Sequence, residues 1–180
     1  MRRLLADLML DDLIGRSAVD PRDVTRAAEK LASFYKTSPP VDVTAEWALA
    51  RFTLEHEEDR RLLLDGRFAL EAELTHEALR MMGEALIAVR PFIEARAAQK
   101  AYVEGHGDLR PEHICVSPAP VFFDCLEFNR DLRLVDPFDE IAYLGLECER
   151  LGAAWVGEIF LSTLRSTLDN PPPERLLQFY

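Results

Sequence analysis

Residues 101–124 carry short β-rich runs, and this brief stretch limits the chain to a helical body with a small β insertion. Ala101-Tyr102-Val103-Glu104-Gly105 reads as a short strand entering a turn. Ile114-Cys115-Val116-Ser117 and Val121-Phe122-Phe123-Asp124 flank Pro118-Ala119-Pro120, which is the pattern of a hairpin. On both sides of this insertion the apolar residues recur at helical spacing. Asp20-Pro21-Arg22-Asp23 predicts a helix start, with an Asp cap, Pro at the first helical position and acid in the first turn. Val24, Ala27, Ala28, Leu31 and Phe34 then mark its apolar face, until Thr37-Ser38-Pro39-Pro40 ends it.

A second helix is expected from Thr44 to about Leu64, its charged centre (Glu55 to Arg61, with His56) facing solvent, and Gly66 closing it. A third, from Thr75 to about Arg96, places Leu79, Met82, Leu86 and Val89 on one side, and Pro91 is expected to kink or split it. His76 lies on its charged face. Beyond Asp136-Pro137 the helical period returns with Phe138, Ile141, Ala142, Leu144, Cys148 and Leu151. A further helix is predicted over 154–167 and is broken by Asn170-Pro171-Pro172-Pro173, and Leu176 to Tyr180 begin another amphipathic pattern. The expected organisation is a single unit, 1–180: helical over 1–100, a loop and hairpin over 101–129, and helical again over 136–180.

Composition narrows the function. At 180 residues and 48 % apolar content the chain is long enough for one domain with a core of its own. A net charge of −11 argues against nucleic acid as a partner, because affinity for a phosphate backbone comes from clustered Lys and Arg. Cys115, Cys125 and Cys148 form no Cys-x-x-Cys pair and are read as three small buried hydrophobes in a reduced compartment. Asp7 interrupts the N-terminal apolar run, and no apolar stretch approaches the ~18 residues of a membrane span. The expectation is a cytoplasmic protein that does not engage a membrane.

The densest polar segment is His106-Gly107-Asp108-Leu109-Arg110-Pro111-Glu112-His113, followed after the hairpin by Asp124-Cys125-Leu126-Glu127-Phe128-Asn129. A loop after a strand carries Asp108, and the hairpin returns Asp124 to the same end. One carboxylate of such a pair can accept a proton from a hydroxyl. The other can hold a divalent cation, since Mg²⁺ is commonly bound by one or two carboxylates together with substrate phosphates. His113 is a candidate further metal ligand. Arg110 is a candidate to grip a phosphate, or else a partner for Asp108.

This arrangement resembles the aminoglycoside phosphotransferase family, whose fold is similar to that of the protein kinases. His106-Gly107-Asp108-Leu109 matches the first four positions of the family's His-Gly-Asp-Leu-x-x-x-Asn loop, and Phe123-Asp124 takes the place of its metal-binding Asp. Asp136-Pro137-Phe138-Asp139-Glu140-Ile141-Ala142 looks like its Asp-Pro-x-x-Asp-Leu-Ala motif, with Glu140 in the second Asp slot and Asp139 beside it. The resemblance implies ATP and Mg²⁺ as cofactors and a small-molecule hydroxyl, cationic by charge complementarity, as acceptor. It implies Asp108 as the base, Asp124 as the principal metal ligand and His106 as a packing residue of the loop.

The sequence departs from the family in several places. His113 stands where the family has Asn, and an imidazole suits Mg²⁺ less well than an amide oxygen. Asp124-x-x-Glu127-Phe128-Asn129 replaces the Asp-Phe-Gly type, which makes Glu127 and Asn129 candidates to help hold metal or substrate. No Gly-x-Gly-x-x-Gly loop is present, and Lys30, Lys36 and Lys100 lie in or beside helices. The likeness is therefore expected to cover the C-terminal lobe alone, without the N-terminal lobe that clamps ATP. Such a fragment is expected to pair with a complementing lobe or to self-associate. The alternative functions are a non-catalytic kinase-like remnant acting as a binding module and, more weakly, a metal-dependent hydrolase using His106, Asp108 and His113.

Overall fold

A computed structural model describes residues 5–180. The described chain is mainly helical with very little β-structure. Its helices are α1 (Leu10–Gly15), α2 (Pro21–Thr37), α3 (Ala45–Leu63), α4 (Ala72–Ala98), α5 (Pro137–Arg150), α6 (Ala154–Thr167) and α7 (Glu174–Leu177). Between α4 and α5 lie four two-residue strands: β1 (Val103–Glu104), β2 (Ile114–Cys115), β3 (Val121–Phe122) and β4 (Leu134–Val135). No described helix is long and apolar enough to cross a membrane.

The chain divides into two compact units that cut across the boundaries read from the sequence. One comprises Met1–Val41, Tyr102–Pro171 and Tyr180, and the other Asp42–Ala101 and Pro172–Phe179. The second unit is the long α3–α4 pair with α7. Thr44 caps α3 by accepting the Trp47 N–H at 3.1 Å, and the Glu71 carboxylate caps α4 by accepting from Glu73 and Leu74. Pro91 lies inside α4, which runs through it unbroken, so the helix is not split there. The carbonyl that Pro91 leaves unpaired belongs to Ile87, a residue 75 % exposed, so water can satisfy it. His56 is half-buried and its ring lies against Gly83, so it belongs to the α3–α4 contact and not to the solvated face expected of it. Met82 is exposed, as are Leu54, Leu62, Phe68, Leu74 and Met81.

The first unit packs α1, α2, α5 and α6 around the strands. The α2 start follows the sequence: Asp20 accepts the Arg22 N–H at 2.8 Å and Pro21 occupies the first turn. Its buried face comprises Val24, Ala27, Ala28, Leu31, Ala32 and Tyr35. Phe34 points outward, because positions 24, 28, 31 and 35 keep the 3.6-residue period and position 34 falls off it. In α5, Asp136 accepts the Phe138 N–H at 3.0 Å, and Phe138, Ile141, Leu144 and Cys148 are buried. Leu151 is exposed, beyond the helix end. Burying each of the larger apolar side chains contributes about 1.5–3 kcal/mol.

The β-structure is two pairs rather than one hairpin. β2 and β3 form the expected antiparallel hairpin, with Ile114 opposite Phe122 and Cys115 opposite Val121. β1 pairs antiparallel with β4, Val103 facing Val135 and Glu104 facing Leu134, a partner the sequence did not announce. The N-terminal segment bridges Met9 to Cys115, and Val116 donates to the Leu8 carbonyl at 2.9 Å, so β2 is covered on its other edge. Cys115 and Cys148 are buried as expected, but Cys125 is exposed in the loop after β3. Burial pushes the Cys148 thiol up to about 12.

Candidate functional site

β1 delivers the loop 105–113, and β3 delivers Asp124. Both loops lie within the first compact unit.

The first loop is anchored from behind by Glu140 in the first turn of α5. This carboxylate is buried and accepts the backbone N–H of His106 at 3.0 and 3.2 Å and that of Gly107 at 2.5 Å. The Tyr35 hydroxyl, reaching from α2, donates to its other face. A buried carboxylate without such donors would be costly. Gly105 lets it come so close. A Cβ on Gly105 would sit 2.7 Å from a Glu140 carboxylate oxygen and 2.6 Å from Val135, and Gly107 holds φ +85°, a region other residues enter reluctantly. Desolvation, the Glu140 charge and the hydrogen bond to it together hold the Tyr35 phenol well above its usual value.

His106 ties this loop to the hairpin. Its Nε2 lies 2.7 Å from the Phe123 carbonyl oxygen, which can only accept, so Nε2 carries the proton and Nδ1 accepts the Asp108 N–H at 3.4 Å. Leu126 in turn donates to the His106 carbonyl at 3.2 Å. Phe123, the residue before Asp124, and the backbone of Asp108 are thereby held by one imidazole.

His113 stands between the two carboxylates. Its Nδ1 is 2.8 Å from the Asp108 carbonyl oxygen and 3.8 Å from Asp108 Oδ2, and its Nε2 is 3.5 Å from Asp124 Oδ2. The imidazole stacks on that of His106 at 5.6 Å and meets the edge of Phe123 at 6.1 Å. The side chain of His113 is 12 % exposed, that of Asp108 33 % and that of Asp124 75 %. Asp124 sits at φ +62°, a left-handed conformation that costs a non-glycine residue about 1–3 kcal/mol and tends to collect at functional sites.

The other residues singled out by sequence take separate places. Arg110 does not pair with Asp108; its guanidinium is held by Glu112 at 2.9 Å and Glu147 at 3.3 Å. To grip a phosphate with both arms it would have to release one of them. Asp136 is 1 % exposed, capping α5 and accepting from the Tyr180 hydroxyl at 3.2 Å. Asp139 lies half-buried next to Glu140 in the same first turn. Glu127 and Asn129 are exposed on the loop after β3, and Asn129 accepts the Asp131 N–H at 3.0 Å, which shapes the loop. Neither hydrogen-bonds to the Asp108–His113–Asp124 group among the described residues. Sequence reasoning missed Tyr35. Its signal was the 24–28–31–35 stripe, which ends on a hydroxyl where a purely apolar face would not.

Comparison with known proteins places these residues in a longer context. The chain is similar to the uncharacterized protein Rv2004c of Mycobacterium tuberculosis (strain H37Rv) and to the uncharacterized protein Mb2027c of Mycobacterium bovis. Identity is 27 % in each case, over an alignment that covers 88 % of this chain and 36 % of the relative. The chain thus spans about a third of the length of the curated relatives it matches. No family model and no solved structure matches it.

Among the described residues no three His, Cys, Asp or Glu side chains gather to hold an ion. Asp124 offers an exposed carboxylate whose one described ion-pair partner is His113. Mg²⁺ is normally bound in this way, with one or two carboxylates and the rest of its shell from phosphate and water.

Proposed function

We propose that the protein is a phosphotransferase of the aminoglycoside phosphotransferase type, moving the γ-phosphoryl group of ATP to a hydroxyl of a small molecule, with a kinase-like arrangement of its C-terminal lobe. One observation carries this reading: two carboxylates from different loops, Asp108 and Asp124, converge on opposite nitrogens of one imidazole. The ordered motifs His106-Gly107-Asp108-Leu109, Phe123-Asp124 and Asp136-Pro137 support it further.

In this reading Asp108 orients the acceptor hydroxyl and takes its proton onto a carboxylate oxygen. Glu140, with Tyr35 behind it, keeps the loop from shifting, and His106 sets the separation between the two loops. Asp124 holds the cation, which when bound supplies charge neutralisation to the phosphates. Most of the protein's contribution is positioning. Asp108, Glu112 and Glu147 place three carboxylates around the single Arg110, and with a net charge of −11 this favours a cationic acceptor such as an amino sugar.

Calorimetric titration with ATP and Mg²⁺ tests the reading. ATP binding should weaken at least tenfold in Asp124→Ala and stay within about twofold in Asp108→Asn, which should instead lose phosphoryl transfer. Absence of nucleotide binding at millimolar ATP, or binding indifferent to Asp124, would leave the non-catalytic binding module as the better account.

A further inference from the structure

One face of α5 runs along the loop that carries Asp108. Near the start of the helix the Glu140 carboxylate accepts the His106 and Gly107 N–H groups, and near its end the Glu147 carboxylate holds the Arg110 guanidinium at 3.3 Å. Tyr143 follows Glu140 by three positions and precedes Glu147 by four, so it shares their helix face. On that face it lies between the contacts to residues 107 and 110, which places it alongside Asp108. The charges of Glu147, Arg110, Asp108 and Glu112 all act on its phenol, as this placement requires. Partial burial of the ring and then the Glu147 charge hold the phenol above its usual value, so at neutral pH the hydroxyl keeps its proton and can donate.

That hydroxyl has no task inside the protein. Tyr35 gives its proton to Glu140, but Tyr143 is 40 % exposed, and among the described residues no group accepts from it. Two of the carboxylates around it, Glu112 and Glu147, are engaged by Arg110 instead. From this geometry we infer that Tyr143 is a binding residue for the acceptor: its hydroxyl donates to a second oxygen of the molecule whose first hydroxyl meets Asp108. The acceptor is then a molecule with neighbouring oxygens, such as an amino sugar, and not an amino alcohol with a single hydroxyl. The inference rests on the phosphotransferase reading for the role of Asp108 but makes a separate claim about the shape of the acceptor and the residue that reads it. A donor built on the helix that also anchors the catalytic loop is a fixed point from which to orient a ligand. Because the phenol reaches water, solvent can replace a missing ligand oxygen, so discrimination should be about tenfold and not the far larger factor of a sealed site.

Steady-state phosphoryl transfer from ATP and Mg²⁺ to glucosamine and to ethanolamine decides the question. Both probes carry an ammonium and a primary hydroxyl, but only glucosamine offers a second oxygen. Wild type should favour glucosamine in kcat/KM by about tenfold or more. Tyr143→Phe, which keeps the ring, should lower kcat/KM about tenfold for glucosamine, mostly through KM, and by less than about twofold for ethanolamine, with the KM for ATP unchanged. Equal losses on both acceptors would make Tyr143 a structural residue, and no loss on glucosamine would remove it from the acceptor contact; either result overturns the inference. ATP binding that depends on Asp124 without transfer to glucosamine also overturns it and leaves the phosphotransferase reading standing. If the chain neither binds ATP nor transfers phosphate, both fail together.

Discussion

The loop carrying Asp108 and the loop carrying Asp124 contribute to one site but are built differently. The first is gripped from inside the unit: two backbone N–H groups and the Tyr35 hydroxyl converge on the buried Glu140, and Gly105 leaves room for that approach. The second is open to solvent from Asp124 to Leu132 apart from half-buried Leu126, and polar contacts through Asn129, Leu126 and Arg133 shape it. Arg133 and Arg130 both bind Glu104, at 2.6 and 2.9 Å, so this loop is tied to β1 by surface ion pairs. Such pairs contribute little individually. A base that must meet a hydroxyl proton benefits from a fixed backbone, whereas a group that meets a hydrated cation benefits from exposure. The contrast therefore agrees with different roles for the two carboxylates.

The largest effect should come from removing the grip. Glu140→Ala leaves two backbone N–H groups and a phenol without their acceptor, and is expected to cost about 3 kcal/mol or more of stability in urea unfolding. Asp124→Asn should change it by less than about 0.5 kcal/mol. Equal losses would erase the distinction between the loops.

A smaller contrast lies in the positive-φ residue that each loop contains, Gly107 and Asp124. Gly107→Ala must enter a left-handed conformation with its Cβ 2.8 Å from the Leu132 carbonyl oxygen, and should destabilise by about 1–3 kcal/mol. Asp124→Gly relieves the same kind of strain, so stability should stay within about 1 kcal/mol of wild type while cation binding is lost. A large loss of stability in Asp124→Gly would show that the carboxylate holds the loop and not an ion.

The smallest effect is a pH dependence. The folded chain keeps the Tyr35 proton to higher pH than the unfolded chain, whose phenol titrates near 10. Between the two values the native state binds more protons, so unfolding free energy falls as pH rises. The Tyr35 contribution is complete below pH ~10 and is lost as pH climbs through the folded value. Tyr35→Phe should be less stable at neutral pH by about 1–3 kcal/mol, and its unfolding midpoint should decline less steeply above pH 10. A decline as steep as that of wild type would place the alkaline sensitivity elsewhere, with the buried Cys148 thiol as the next group to examine.

Legibility followed the range of the interaction. Asp20-Pro21 and Asp136-Pro137 announced their helices because a cap needs only residues two or three apart. The hairpin 114–122 was readable for the same reason. Whether Pro91 splits its helix depends on whether the freed carbonyl meets water, which sequence spacing does not record. Phe34 misled because its hydrophobicity was weighed ahead of its phase. The site was half visible: Asp108, His113 and Asp124 were marked as candidates, but nothing local told which atoms would face one another.

The amino-acid sequence by itself determined which residues carry carboxylate and imidazole groups, their order along the chain and the helical setting around them, since those depend on residue type and short-range periodicity. Only the tertiary structure decided that Tyr35 reaches Glu140 across 105 positions, that β1 finds β4, and that His113 lies between two carboxylates. The first two are contacts between segments far apart in the chain, and the third depends on the path of the hairpin that separates residues 113 and 124. The reach of Tyr35 to Glu140 depends on how α2 and α5 each pack on α6, a property that no short stretch of sequence contains.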